Sequence, residues 1–177
     1  VCALSPLQQG MLFHTLKDFS GGMYITQGMA RQDNLDIKSF IKTWQIILER
    51  HAILRTSFHW ENLEEPLQTT HKKVPLPLDV LDWSEISPRE QLAKLRIFQR
   101  EDREQGFNLT KPALFRITAI QMSRSRWQII NTHHHIILDG WSGGILNTEI
   151  TEIRQSLQQG RVLSLEKTYP FSNYIRW

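Results

Sequence analysis

Thr132-His133-His134-His135-Ile136-Ile137-Leu138-Asp139-Gly140-Trp141-Ser142 is the stretch on which both fold and function turn. Its upstream flank, Trp127 to Thr132, is rich in strand formers, and so is Leu114 to Met122. The polar turn Ser123-Arg124-Ser125-Arg126 between them predicts a hairpin. Downstream, Leu146, Ile150, Ile153 and Leu157 recur on one helical face, so the histidines leave a strand and enter a helix. Loops at such junctions commonly carry function. Adjacent side chains of an extended segment point to opposite faces, so His134 and His135 cannot do the same job. One would open on a cleft while the protein interior holds the other.

The rest of the chain supplies the partners of that hairpin. Ser5-Pro6-Leu7-Gln8 reads as a helix start, with Ser5 as cap, Pro6 at the first helical position and Gln8 closing a capping box. Leu7 and Met11 are its expected inward face, joined by His14. A Ser20-Gly21-Gly22 turn ends it, and Tyr24 to Ala30 reads as a short strand. Ile37 to Glu49 is the strongest helix, because Ile37, Phe40, Ile41, Trp44, Ile47 and Leu48 make one broad apolar stripe. Ile53 to Trp60 reads as a strand, and another short one is expected at Leu78 to Leu81, after Pro75 and Pro77. Ser87-Pro88-Arg89-Glu90 is a second capping box; it opens a charged helix to about Glu104 with Leu92, Leu95 and Phe98 on its core face. Strands and helices mix around at least one hairpin. The expected fold is therefore α/β, an α+β two-layer sandwich with a mixed β-sheet packed against helices.

Composition narrows the function classes. The 177 residues are 40% hydrophobic and 22% charged with six Trp and eight Phe, which excludes disorder. A net charge of +3, with signs interspersed as in Arg100-Glu101-Asp102-Arg103-Glu104, argues against nucleic acid as a partner. No apolar run approaches the roughly 20 residues that span a bilayer, so no membrane role is expected. A single cysteine, Cys2, rules out an internal disulfide framework and suits a reducing cytoplasm. The chain opens at Val1 without Met and without a signal-peptide pattern, and is expected to be a fragment of a longer protein.

The polar clusters leave several chemistries open. Adjacent histidines are poorly spaced for one metal ion, and no Cys set or HExxH pattern adds ligands. The bland reading is a set of hydrogen-bonded histidines at a strand end. The sharper one is an acid/base centre, since a neutral imidazole near pKa 6.5 accepts or positions a proton at cytosolic pH. Asp139 would fix the loop or orient a ring, and Gly140 would let backbone come close to a ligand. In Arg50-His51-Ala52-Ile53-Leu54-Arg55-Thr56, the two arginines are either solvated or include a buried partner for Asp139, whose carboxylate matches a guanidinium fork. There is no phosphate loop around Gly21-Gly22 or Gly143-Gly144, no GxSxG elbow, and no base beside Cys2. Trp44, Phe58 and Trp141 are expected in the core, and His14, His51, His59 and His71 in ordinary structural or solvent roles.

Four stretches taken together resemble the condensation domains of nonribosomal peptide synthetases. Ser5 to Leu16 is similar to their opening helix signature, and Arg50-His51-Ala52-Ile53-Leu54-Arg55-Thr56-Ser57-Phe58 to RHExLRTxF, with Ala52 where Glu is usual. His134 to Ser142 fits HHxxxDGWS without departure. Phe171-Ser172-Asn173-Tyr174-Ile175-Arg176-Trp177 approximates YxDYAxW, departing at Phe171, Asn173 and Ile175. HHxxxDG alone is shared with other acyltransferases; the four in order are far more specific.

The resemblance implies a chloramphenicol acetyltransferase-like fold in which residues 1-177 are the N-terminal lobe, the C-terminal lobe being absent from this chain. It implies peptide-bond formation, in which a carrier-bound acceptor amine attacks a carrier-bound donor thioester. The implied partners are upstream and downstream peptidyl carrier domains, the missing C-terminal lobe and an adjacent adenylation domain. No cofactor is bound directly, because the substrates ride on 4'-phosphopantetheine arms of the carriers. By motif position His135 is the catalytic imidazole and the Gly140 amide a donor to the oxyanion. His134 becomes structural, Asp139 pairs with an arginine, Arg50 being preferred, and Arg55 and Trp141 complete the structural set. Gly10 to His14 and Leu138 are closer to the subset taking a D-configured donor. The alternatives are an epimerisation domain, a CoA-dependent acyltransferase and a non-catalytic docking domain.

Overall fold

The computed structural model describes residues 1–18, 22–169 and 171–176. Its centre is a four-stranded sheet in the order β2-β7-β6-β5, made of β2 (Ile25–Asp33), β5 (Leu78–Asp82), β6 (Phe115–Gln121) and β7 (Arg126–His134). The expected hairpin is β6 and β7, paired antiparallel from Phe115 opposite His133 to Gln121 opposite Trp127. β2 runs antiparallel along the whole of β7, placing Ile25 opposite His134, while β5 lies parallel to β6. The sheet is mixed, as the blend of strands and helices predicts.

A second, antiparallel sheet has the order β1-β4-β3, from β1 (Cys2–Ala3), β3 (Thr56–His59) and β4 (Leu67–Thr70). The run from Ile53 to Trp60 is thus not one strand. Ala52–Arg55 form a 3-10 helix, and only Thr56–His59 are extended. The reason is tertiary: the Arg55 side chain donates to the carbonyls of Leu48 at 2.9 Å, Glu49 at 3.2 Å and His71, and this pulls the segment into a turn.

Among the described residues five helices accompany the sheets: α1 (Pro6–Lys17), α2 (Ile37–Arg50), α3 (Pro88–Glu104), α4 (Gly140–Gln159) and α5 (Phe171–Arg176). Both expected capping boxes form, Ser5 with Gln8 and Ser87 with Glu90. Gly160 ends α4 at φ 62°, a left-handed conformation in which a Cβ would be strained. Phe40, Trp44 and Ile47 of α2, with Leu146 and Ile153 of α4, bury against Ile117, Ala119 and Ile129 on one sheet face. Leu95 of α3 covers Ile120 and Ile130 on the other. Alternation along β6 and β7 feeds both cores.

Several expected core positions lie elsewhere. In α1 the inward residues are Gln8 and Leu12, whereas Leu7 is 65% exposed and His14 is exposed. Leu92 of α3 is 52% exposed, and Trp141, expected in the core with Trp44 and Phe58, is 87% exposed on the first turn of α4. The Ser20-Gly21-Gly22 turn falls largely outside the described residues. No helix among the described residues is long and apolar enough to cross a membrane.

Candidate active site

The site forms where β7 ends. Both neighbours continue to hold the chain there: the His134 amide donates to the Leu114 carbonyl at 3.0 Å, and the His135 amide to the Tyr24 carbonyl at 2.8 Å. Tyr24 has a φ of 62°, a conformation rare for a side-chain-bearing residue, and strain of this kind tends to collect at functional positions. The chain then turns through Ile136 and Ile137 and enters α4 at Gly140.

His134 is fully buried. Its Nδ1 accepts from the Ile136 amide at 3.1 Å, so Nε2 carries the proton and donates to Thr15 Oγ1 at 3.2 Å. The Thr15 hydroxyl in turn donates to the Met11 carbonyl at 2.8 Å. Both ring nitrogens are thereby committed to the neutral form. Burial first, and then the charges of the neighbouring histidines, push the His134 pKa down to about 4. His133, half-buried, is pushed down to about 4 by burial and by His135.

His135 lines a cleft of about 860 Å³. Around it stand the start of α1 (Ser5, Pro6, Gln8, Met11), the α2 terminus and 3-10 helix (Arg50 to Ile53, Arg55), and Thr168 and Tyr169. The two imidazoles whose equivalence alternation forbids are thus separated as expected, one in the interior and one on the cavity. Gln8 braces the wall: it donates to the Ile136 carbonyl at 3.4 Å and accepts from Gln68 at 3.1 Å, tying α1, β4 and the histidine loop together. A capping residue doubling as a loop anchor was visible in the sequence only as a cap.

Asp139 and Arg50 do not pair. Asp139 is exposed and caps α4, its Oδ1 accepting from the Ser142 amide at 2.7 Å. That amide and then the Ser142 hydroxyl hold the Asp139 carboxyl below the usual range. Arg50 instead forks onto Glu149 of α4, with Nε to Oε2 at 2.9 Å and Nη2 to Oε1 at 3.1 Å. His51 Nε2 meets the same carboxylate at 2.6 Å. Burial raises the Glu149 carboxyl, but the bonds from Arg50 and His51 outweigh it and the pKa is lowered. Glu149 escaped notice in the sequence because it lies beyond the motif; its signal was only a carboxylate on the α4 face turned toward α2. Arg50 also donates to the Glu166 carbonyl, fastening the tail that forms the far wall of the cleft. Arg55 lines the cleft as well, its guanidinium spent on backbone carbonyls.

Gly140 is the first residue of α4, so its amide is among the donors a helix leaves without an internal acceptor. A Cβ built there would meet nothing within 4 Å, and its neighbours Asp139 and Ser142 line the cleft. The α4 N-terminus also supplies a partial positive charge beside the cleft. Among the described residues no group of three His, Cys, Asp or Glu is placed to hold a metal ion. The arrangement is that of an imidazole and a helix start converging on one cavity, suited to acyl transfer.

Known proteins show the same combination of sequence and fold. The chain is 36% identical over 176 residues to tyrocidine synthase 2 of Brevibacillus parabrevis, covering 99% of this chain and 5% of that protein. It is 37% identical over 175 residues to bacitracin synthase 3 of Bacillus licheniformis, covering 98% of the chain and 3% of the protein. Among solved structures, the starter condensation domain of rhizomide synthetase RzmA matches with a TM-score of 0.84 at 19% identity, over 99% of this chain and 44% of that one. The first condensation domain of the calcium-dependent antibiotic synthetase, in complex with a substrate analogue, matches at 0.83 and 20% identity, over 99% and 42%. The chain thus spans less than half of these solved chains and a small part of the synthases. The family model for the condensation domain matches residues 1–177, and the chain belongs to that family.

Proposed function

We propose that residues 1–177 are the N-terminal lobe of a condensation domain that joins a donor acyl group to an acceptor amine, with His135 at the centre. The observation that carries this reading is the separation of the two motif histidines. His134 is locked in the interior by Thr15 and Ile136, and His135 is presented on the cavity. Coverage of 42–44% of solved condensation-domain chains supports a single lobe.

The substrates are thioesters on the phosphopantetheine arms of two carrier domains. The acceptor amine attacks the donor carbonyl, the C–N bond forms, the C–S bond breaks, and the donor carrier's thiol leaves with a proton. His135 serves this step by taking the amine's proton or by holding the amine in line. General-base help is worth about 10²–10⁴-fold, so placing two tethered reactants together carries much of the rest. The Gly140 amide at the α4 terminus donates to the oxyanion that develops on the carbonyl. Asp139 shapes the loop by capping α4, and Glu149 with Arg50 and His51 sets the cleft wall. The second lobe and an adjacent adenylation domain complete the machinery, and the lobe alone is expected to turn over little. The reading sets the protein in the cytoplasm, where Cys2 stays reduced. The donor is expected to be D-configured, as the resemblance implies; a preference for the L-enantiomer in a paired assay excludes that subtype.

The test is single-turnover product formation between two loaded carriers, using the protein with its second lobe, as native and as His135→Ala. A fall of about ten-fold or more with Ala supports the reading. No product from folded native protein with several matched carrier pairs overturns it in favour of a docking domain.

A further inference from the structure

A third histidine stands beside the motif without a task. His133 precedes the two motif residues, lies opposite Thr26 of β2 and Phe115 of β6, and sits two positions before His135, whose amide is still held by the Tyr24 carbonyl at the strand's end. The Nδ1 atoms of His133 and His135 are both buried, and neither hydrogen bonds to a protein group. Buried polar atoms rarely stay unpaired, and His135 is near enough to His133 for its charge to act on the His133 ring. The His134 nitrogens are already committed elsewhere.

We propose that His133 is a positioning residue for His135: its Nδ1, through one ordered water, accepts the proton of His135 Nδ1 and so leaves Nε2 of His135 unprotonated toward the cleft. Which nitrogen of a neutral imidazole is free to accept a proton is set by the hydrogen bond its other nitrogen makes. In many sites a carboxylate does this; here Asp139 Oδ1 takes the Ser142 amide, and no carboxylate hydrogen bonds to His135 Nδ1. His133 suits the role because it is neutral through the working pH range: its pKa is lowered to about 4. A cation at that place would repel the proton it must accept.

The proposal rests on the reading of His135 as the reacting imidazole, and its primary test needs no turnover. Nitrogen-15-labelled imidazoles in the full-length protein, read through long-range proton couplings near neutral pH, report the tautomer of His135. The native protein should show His135 protonated at Nδ1. His133→Phe should shift it to a mixture or to the Nε2–H form, and His133→Gln, which keeps an acceptor, should restore it. In single-turnover condensation the Phe variant should lose roughly ten-fold in rate with little change in half-saturation for either carrier. A native His135 protonated at Nε2 overturns the proposal. So does a tautomer unchanged in folded His133→Phe. If the tautomer responds as expected but native protein forms no product, the positioning role stands and the condensation reading falls.

Discussion

His134 shows how one buried side chain couples the site to pH. Its two nitrogens are spent on the Ile136 amide and Thr15, and its pKa is about 4 against an ordinary 6.5. Below pH 6.5 the unfolded chain takes up a proton that the folded protein refuses until about pH 4. Stability therefore falls as pH drops through that window and levels off beneath it. His134 can contribute up to about 3 kcal/mol of this loss, and His133 acts in the same direction. Urea unfolding at a series of pH values measures the slope. His134→Asn, though less stable at pH 7, should flatten it by about one proton; an unchanged slope would place the titrating group elsewhere. None of this was visible from spacing. Alternation separated His134 from His135, but the identity of the inward one rested on the motif, and the Thr15 hydroxyl that holds it comes from 119 residues away.

At the scale of elements, α3 is held to the sheet by a polar knot as well as by Leu95. Asp102, 7% exposed, accepts from Gln27 Nε2 at 2.6 Å, Thr132 Oγ1 at 2.5 Å and Arg116 Nε at 2.5 Å. The Arg116 guanidinium also lies 4.4 Å from the Phe107 ring centre. Breaking such a pair from one side strands a largely buried charge, so Asp102→Ala should cost roughly 3–5 kcal/mol in urea unfolding. Asp102→Asn, which keeps an acceptor, should cost less. Where element formation depends on local chemistry, the sequence was a sufficient guide. Both capping boxes, the stripe of α2 and the β6–β7 hairpin follow from neighbours within a few residues. Elements made by distant contacts escaped it: β1 and β4 are too short to alternate, and Ala52–Arg55 coil because Arg55 reaches carbonyls on two other segments. The inward faces of α1 and α3 failed at Leu7 and Leu92 for a related reason, since an apolar residue stays outside when nothing packs over that part of the helix.

At the scale of the whole molecule, part of the exposed apolar surface lies on the cleft lining and on the first turns of α4. Leu7 and Tyr169 on its lining are 65% and 74% exposed, and Trp141 and Ile145 on the first turns of α4 are 87% and 61% exposed. Exposed apolar side chains grouped in this way mark a contact face. The lobe expressed alone should self-associate with rising concentration in sedimentation, and the Trp141→Ser, Ile145→Ser double variant should shift it toward monomer. A concentration-independent monomer would show that this face needs no cover.

The amino-acid sequence by itself determined the starts of α1, α2 and α3, the hairpin, the mixed sheet and the motif on which the proposed role of His135 rests, because caps, turns and alternation act over a handful of residues. Tertiary structure alone decided which charges meet. Arg50 finds Glu149 because α2 and α4 pack side by side, and Asp139 stays with its own helix because the Ser142 amide is within reach before any distant guanidinium is. A carboxylate goes to the nearest unsatisfied donor in space, and only the packing of elements establishes which donor that is.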